Sequence, residues 1–95
     1  MLIRSQNRKM LVNIANVDCL GIIELSPERF DVSAYNRDGN TTLGIYSTQE
    51  KAMKVLDMIE KKYVDVFYVF GNDATHVYNI PKAFQMPADE EVEEE

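Results

Sequence analysis

Two kinds of side chain suited to acid–base or nucleophilic work occur once each. His76 is the only imidazole and Cys19 the only thiol. A catalytic histidine needs a nucleophile or an orienting carboxylate beside it in space. Its place in an alternating run predicts a half-buried structural residue instead. Cys19 stands beside Leu20 in an apolar run with no cationic helix end near it, so a buried, inert thiol is expected. One histidine and one cysteine also exclude the usual structural zinc sites. Asp57 and Glu60 are three apart on a helix, a spacing at which two carboxylates can share a metal ion. Lys54 and Lys61 flank them, and ordinary surface pairing accounts for these positions. Gly21, Gly39, Gly44 and Gly71 form no phosphate-binding loop pattern. Asn40-Thr41-Thr42 is a glycosylation sequon that has no meaning without secretion. Five methionines fall at core-like positions and form no metal-binding cluster. The expectation is a non-enzyme without metal or cofactor.

Charge carries more information than these residues do. The 95-residue chain has 10 basic and 16 acidic residues, a net charge of −6. Six of the acids (Asp89, Glu90, Glu91, Glu93, Glu94 and Glu95) lie in the last seven residues, and the remainder is neutral. Such a run repels itself into a solvated segment, so residues 88–95 are expected to be a disordered acidic tail, dispensable for folding. A sharper reading makes Asp89, Glu90, Glu91 and Glu93 a surface that docks on a basic groove of another protein. A direct nucleic-acid binder should show a basic stripe. Only Arg4, Arg8 and Lys9 approach one, and direct nucleic-acid binding is disfavoured. No apolar run reaches the ~20 residues of a membrane helix. The opening MLIRSQNRK lacks the apolar core of a secretory signal, and the single cysteine suits a reducing compartment. A cytoplasmic protein of one domain, residues 1–87, is expected.

The elements that must position these residues follow from periodicity. Met1–Gln6, Met10–Asn16, Asp18–Leu25, Phe30–Asn36 and Thr41–Tyr46 read as consecutive strands. Asn7-Arg8-Lys9, Ser26-Pro27-Glu28-Arg29 and Arg37-Asp38-Gly39-Asn40 read as the turns, the last with the Asp-Gly signal of a tight hairpin. Short connections make them an antiparallel meander. Ser47-Thr48-Gln49-Glu50 matches a capping box that opens a helix over 48–63. Ala52, Val55, Leu56, Ile59 and Tyr63 then fall on one helical face, and Glu50–Lys54 and Asp57–Lys61 are acid-to-base pairs on the other. Val64–Phe70 reads as a strand, with neither face polar from Val66 to Phe70, followed by Thr75–Ile80 and a short strand over Lys82–Met86. The fold class is α+β, an antiparallel β-sheet packed on one amphipathic helix. Val66, Phe67, Tyr68, Val69 and Phe70 exceed what one helix can cover, which predicts a homodimer formed through them.

The stretches MLIRSQNRKMLVNIANV, LGIYSTQEKAMKVLDMIEKKY and FQMPADEEV together resemble a family of small uncharacterised proteins of phages, prophages and related mobile elements of Gram-positive bacteria. The matching stretches cover roughly half the chain, in the family's order. That family has no established activity and no functional residues to transfer. The resemblance implies an intracellular accessory protein of phage type in a bacterial host cell. Proteins of this class often bind a host protein, and inhibitors of bacterial defence, anti-CRISPR proteins among them, are a prominent kind. The leading expectation is therefore a protein-binding inhibitor or modulator of a host or defence factor that itself binds nucleic acid. The alternatives are a structural or regulatory phage module that only self-associates, and a weak nucleic-acid or nucleotide binder using Arg4, Arg8 and Lys9.

Overall fold

The computed structural model describes residues 1–72 and 83–93, with side chains in the helix as far as Tyr63. It is an α+β fold with one helix and two three-stranded sheets. The longer sheet is an antiparallel meander of β3 (Cys19–Ser26), β4 (Arg29–Asn36) and β5 (Gly39–Tyr46). Alternation gives β4 two distinct faces. Phe30, Val32 and Ala34 are buried in the core, while Asp31 and Ser33 are buried on the opposite side. The β4–β5 turn holds Arg37 and Asp38 between the paired Asn36 and Gly39. Gly39 takes φ +136°, a conformation that side chains strain to reach.

The expected five-strand meander is divided in two. The second sheet holds β1 (Leu2–Arg4), β2 (Leu11–Asn13) and β6 (Ala83–Gln85) in the order β2-β1-β6. After β2 the chain turns through a 3-10 segment, Ile14–Asn16, where the Asn13 side chain accepts the Ala15 N–H. That turn ends the pairing before β3 begins, and β1 takes β6 as a parallel neighbour instead. The sheets meet at the β5 edge. The Gln6 amide copies a peptide group there: its Oε1 accepts from Ile45 N at 2.9 Å and its Nε2 donates to Ile45 O at 3.1 Å. The Gln6 backbone N–H donates to Leu43 O at 2.7 Å. Leu43 is free for this because the β4–β5 register shifts between Val32 and Ser33, leaving one extra residue on β5.

Helix α1 (Gln49–Asn72) lies on the longer sheet, with Ala52, Val55 and Ile59 in the core and Leu56 packed against it. Tyr63, on the inward face by its spacing, is instead 50% exposed. The expected capping box from Ser47 to Glu50 is corrected to a simple cap one residue later. Thr48, not Ser47, caps the helix, its Oγ1 accepting from Lys51 N at 3.1 Å. The expected strand over Val64–Phe70 is corrected, because the helix continues through it. No proline interrupts residues 48–72, elongation adds a hydrogen bond per residue, and a β-branched residue weakens a helix by only about 0.5 kcal/mol. Thr75–Ile80 and His76 lie outside the described residues.

The expected disordered tail is corrected as far as Glu93. Asp89–Glu91 form a 3-10 turn, and Val92, 6% exposed, belongs to the core. A mostly acidic segment is held by its two tethers, Val92 and Asp89, which average composition conceals. The packed domain thus extends beyond residue 87.

Candidate functional site

Several residues singled out from sequence have structural roles. Arg4 donates to the Arg8 carbonyl at 2.9 Å, and Arg8 donates to Gln85 Oε1 at 3.2 Å. These contacts anchor the β1–β2 turn, where Arg8 holds φ 68°, a left-handed conformation rare outside glycine and asparagine. Cys19 is exposed at the start of β3, which corrects the expectation of a buried thiol. Asp57 and Glu60 are exposed on α1. Neither Glu50–Lys54 nor Asp57–Lys61 forms an ion pair among the described residues; Lys54 instead donates to the Glu93 carbonyl. No group of three or more His, Cys, Asp or Glu able to hold a metal occurs among the described residues. Of the five methionines only Met86 is fully buried, while Met10, Met53 and Met58 are exposed. The side chains of Val66, Phe67, Tyr68, Val69 and Phe70 lie outside the described residues. No described helix is long and apolar enough to cross a membrane.

The acidic residues divide by role. Asp89 Oδ1 accepts from the Ser47 backbone N–H at 2.7 Å and the Ser47 hydroxyl at 3.1 Å, and Oδ2 lies 3.5 Å from Lys51 Nζ. Partial burial opposes its ionisation most strongly. The Ser47 bonds and Lys51 together outweigh that burial and hold the carboxyl below the usual range. Glu91 closes its own turn by accepting the Ala88 N–H. Glu90 and Glu93 are exposed and carry no hydrogen bond or ion pair from their side chains to another described residue. Beneath them the Tyr46 hydroxyl donates to Pro87 O at 2.8 Å. Burial first, then Asp89 and Glu91, push its phenol well above the ordinary value.

Sequence reasoning passed over a second constellation. Arg29 and Asp31 are two apart on β4 and share a face. Arg29 Nε donates to Asp31 Oδ1 at 2.9 Å and Nη2 to Oδ2 at 3.1 Å, a two-point fork. Thr42 Oγ1 is 3.4 Å from Asp31 Oδ2. The Asp31 hydrogen bond, then its charge, raise the Arg29 pKa further. Arg29 borders an open cleft of about 230 Å³ between Ser5–Asn7 and Thr42–Ile45. The alternation of Arg29 and Asp31 was visible in the sequence as an i,i+2 pair. Gln6 and Asn7 gave no such signal, because their partners are distant in the chain or lie within a tight turn.

No family model, curated protein or solved structure matches the chain. The structure does bring residues 1–17, 43–63 and 84–92 together. Gln6 donates to Ile45 O and Pro87 O, Tyr46 reaches Pro87, and Ser47 is bound by Asp89. The three stretches are thus packed on one another, and their residues at this junction serve the fold.

Proposed function

We propose that the protein is a non-enzymatic accessory protein of phage type. It acts in the cytoplasm of a bacterial host by binding another protein, as an inhibitor or modulator of a nucleic-acid-binding host or defence factor. The observation that carries this reading is the ordered acidic turn. Asp89 and Val92 fix it to the body, so Glu90 and Glu93 are presented from a rigid base instead of a free tail. Pre-ordered charges lose less entropy on docking to a basic groove than the same charges on a flexible chain. Affinity capture from nuclease-treated Gram-positive lysates tests it. A basic protein retained by the parent and lost from the Glu90→Lys/Glu93→Lys variant is expected. Capture that depends on nucleic acid, or that survives this charge reversal, would overturn it.

A second reading, self-association, is favoured by the free edge of β3. Among the described residues no strand pairs with the side of β3 that faces away from β4. This edge is eight residues long, has no lysine or proline, and exposes Leu25 at 56%. Of the devices that protect natural edge strands it has only the register shift at Leu25 and the charge of Glu24, leaving Cys19–Ile23 open. Antiparallel pairing of two copies centred on Ile22 sets Glu24 opposite Leu20, so no like charges meet. Sedimentation at micromolar concentration should then show a dimer that Cys19→Lys/Leu25→Lys converts to monomer. A concentration-independent 10.9 kDa species of the parent chain would exclude it.

A further inference from the structure

The cleft beside Arg29 has few free side-chain acceptors. Apart from Thr42 Oγ1, which spends its proton on Asp31, they are engaged: Ser5 Oγ accepts the Met10 N–H and Gln6 Oε1 accepts the Ile45 N–H. Asn7 Oδ1 accepts both the Ser5 hydroxyl and the Lys9 N–H. The Leu43 and Ile45 carbonyls are bound by Gln6. Most of what remains are donors. Asn7 has its carbonyl doubly occupied, so its carboxamide can offer only N–H. Arg29 uses one edge of its guanidinium, Nε and Nη2, on Asp31. The other edge, formed by Nη1 and the second Nη2 hydrogen, has no partner among the described residues.

Asp31 gives this free edge its orientation. Its residue is only 2% exposed, and Thr42 hydrogen-bonds the same carboxyl. A guanidinium fixed along one side presents its other two N–H groups in a plane, and that geometry matches the two oxygens of a carboxylate. Gly44 and the exposed side chain of Ile45 also line the cleft. These suit a short carbon chain and offer nothing to a fully hydrated anion.

We infer that this cleft binds a small carboxylic acid, its carboxylate on the free edge of Arg29 and the Asn7 amide, its carbon chain against Gly44 and Ile45. The site is separate from the acidic turn and does not depend on the proposed partner.

Titration of the full chain, followed by nitrogen–proton correlation spectra, tests the inference. Butyrate is the probe, with butyramide as its uncharged isostere and inorganic phosphate as a charge without a carbon chain. Saturable shifts at the Arg29 Nε–H and the Gly44 and Ile45 amides are expected with butyrate. Butyramide should give none, and phosphate should bind at least tenfold more weakly. Arg29→Lys retains a cation for Asp31 but lacks the fork, and should weaken butyrate binding at least tenfold. Should that variant fold poorly, Ile45→Glu places a like charge on an exposed position of the wall and should abolish the shifts. Equal responses to butyrate and butyramide, tighter binding of phosphate, or butyrate binding unchanged in a folded Arg29→Lys or Ile45→Glu chain would overturn it.

Discussion

Ser33 has the buried side chain with the least to do. Its hydroxyl is fully buried on the Asp31 side of β4 and is the only such polar group without a hydrogen-bond partner among the described residues. Leaving a hydroxyl unsatisfied costs roughly 1–3 kcal/mol, so Ser33→Ala should raise stability, by about 1 kcal/mol once the lost volume is counted. Chemical denaturation reads this directly, and a destabilised Ser33→Ala would mean that the hydroxyl has a partner. Gly44 is the opposite case, a residue whose smallness is required. A Cβ there would stand 2.9 Å from the Tyr46 hydroxyl and 3.2 Å from Met86 Cε. Tyr46 cannot move aside without breaking its bond to Pro87. Gly44→Ala should therefore cost about 1–3 kcal/mol. Tyr46→Phe should cost about 1 kcal/mol, because the Pro87 carbonyl keeps Gln6 as a donor. The double variant should lose less than the sum, since the phenylalanine lacks the nearest clashing atom.

At the level of elements, the start of α1 is decided by a single hydroxyl. Thr48 caps the helix while Ser47 is bound to Asp89, so Thr48→Ala should lower stability by about 1 kcal/mol in an Asp89→Ala background as well as in the parent. Ser47→Ala should instead show its effect only while Asp89 is present, a distinction that thermal melts of the three single and two double variants can make. The capping signal was legible in the sequence to within one residue. It could not be finer, because Ser47 and Thr48 have the same chemistry and only the distant Asp89 separates their roles. Strands β3, β4 and β5 were legible for a local reason: their alternation and their turns occupy the same short stretch of chain. The end of α1 was not, since the run VDVFYVF has strand-like composition and helix propagation is cooperative across it. The separation of β1 and β2 from the meander rests on a parallel partner about 80 residues away, which no local pattern announces. The candidate cleft shares that limit. Arg29 and Asp31 show their common face in sequence, whereas Gln6 reaches Ile45 across 39 residues.

For the whole molecule, the question is how much the acidic C-terminal segment contributes to stability. Removing residues 88–95 takes away the buried Val92 and the Asp89 contacts to Ser47 and Lys51. Burying a valine is worth about 1.5–3 kcal/mol. The Ser47 amide loses its acceptor, and a hydrogen bond to a charged group adds about 1.5 kcal/mol more. A loss of about 3–4 kcal/mol is a large fraction of the roughly 5–10 kcal/mol that a domain of this size has. At about 4–8 °C per kcal/mol, the melting temperature should fall by at least 10 °C. Charge alone does not explain this fall. Glu90→Ser/Glu93→Ser removes two exposed charges and leaves both tethers, so its melting temperature should stay within a few degrees of the parent's. The pH dependence has a defined sign. The Asp89 carboxyl is held below its ordinary value, so its contribution is complete above the unfolded carboxyl pKa near 4 and fades as pH falls through the lower folded value. The gap in stability between the parent and Asp89→Asn should therefore be constant from about pH 5 to pH 7 and close under acid. A truncated chain that melts with the parent at neutral pH would show that the segment only rests on the domain.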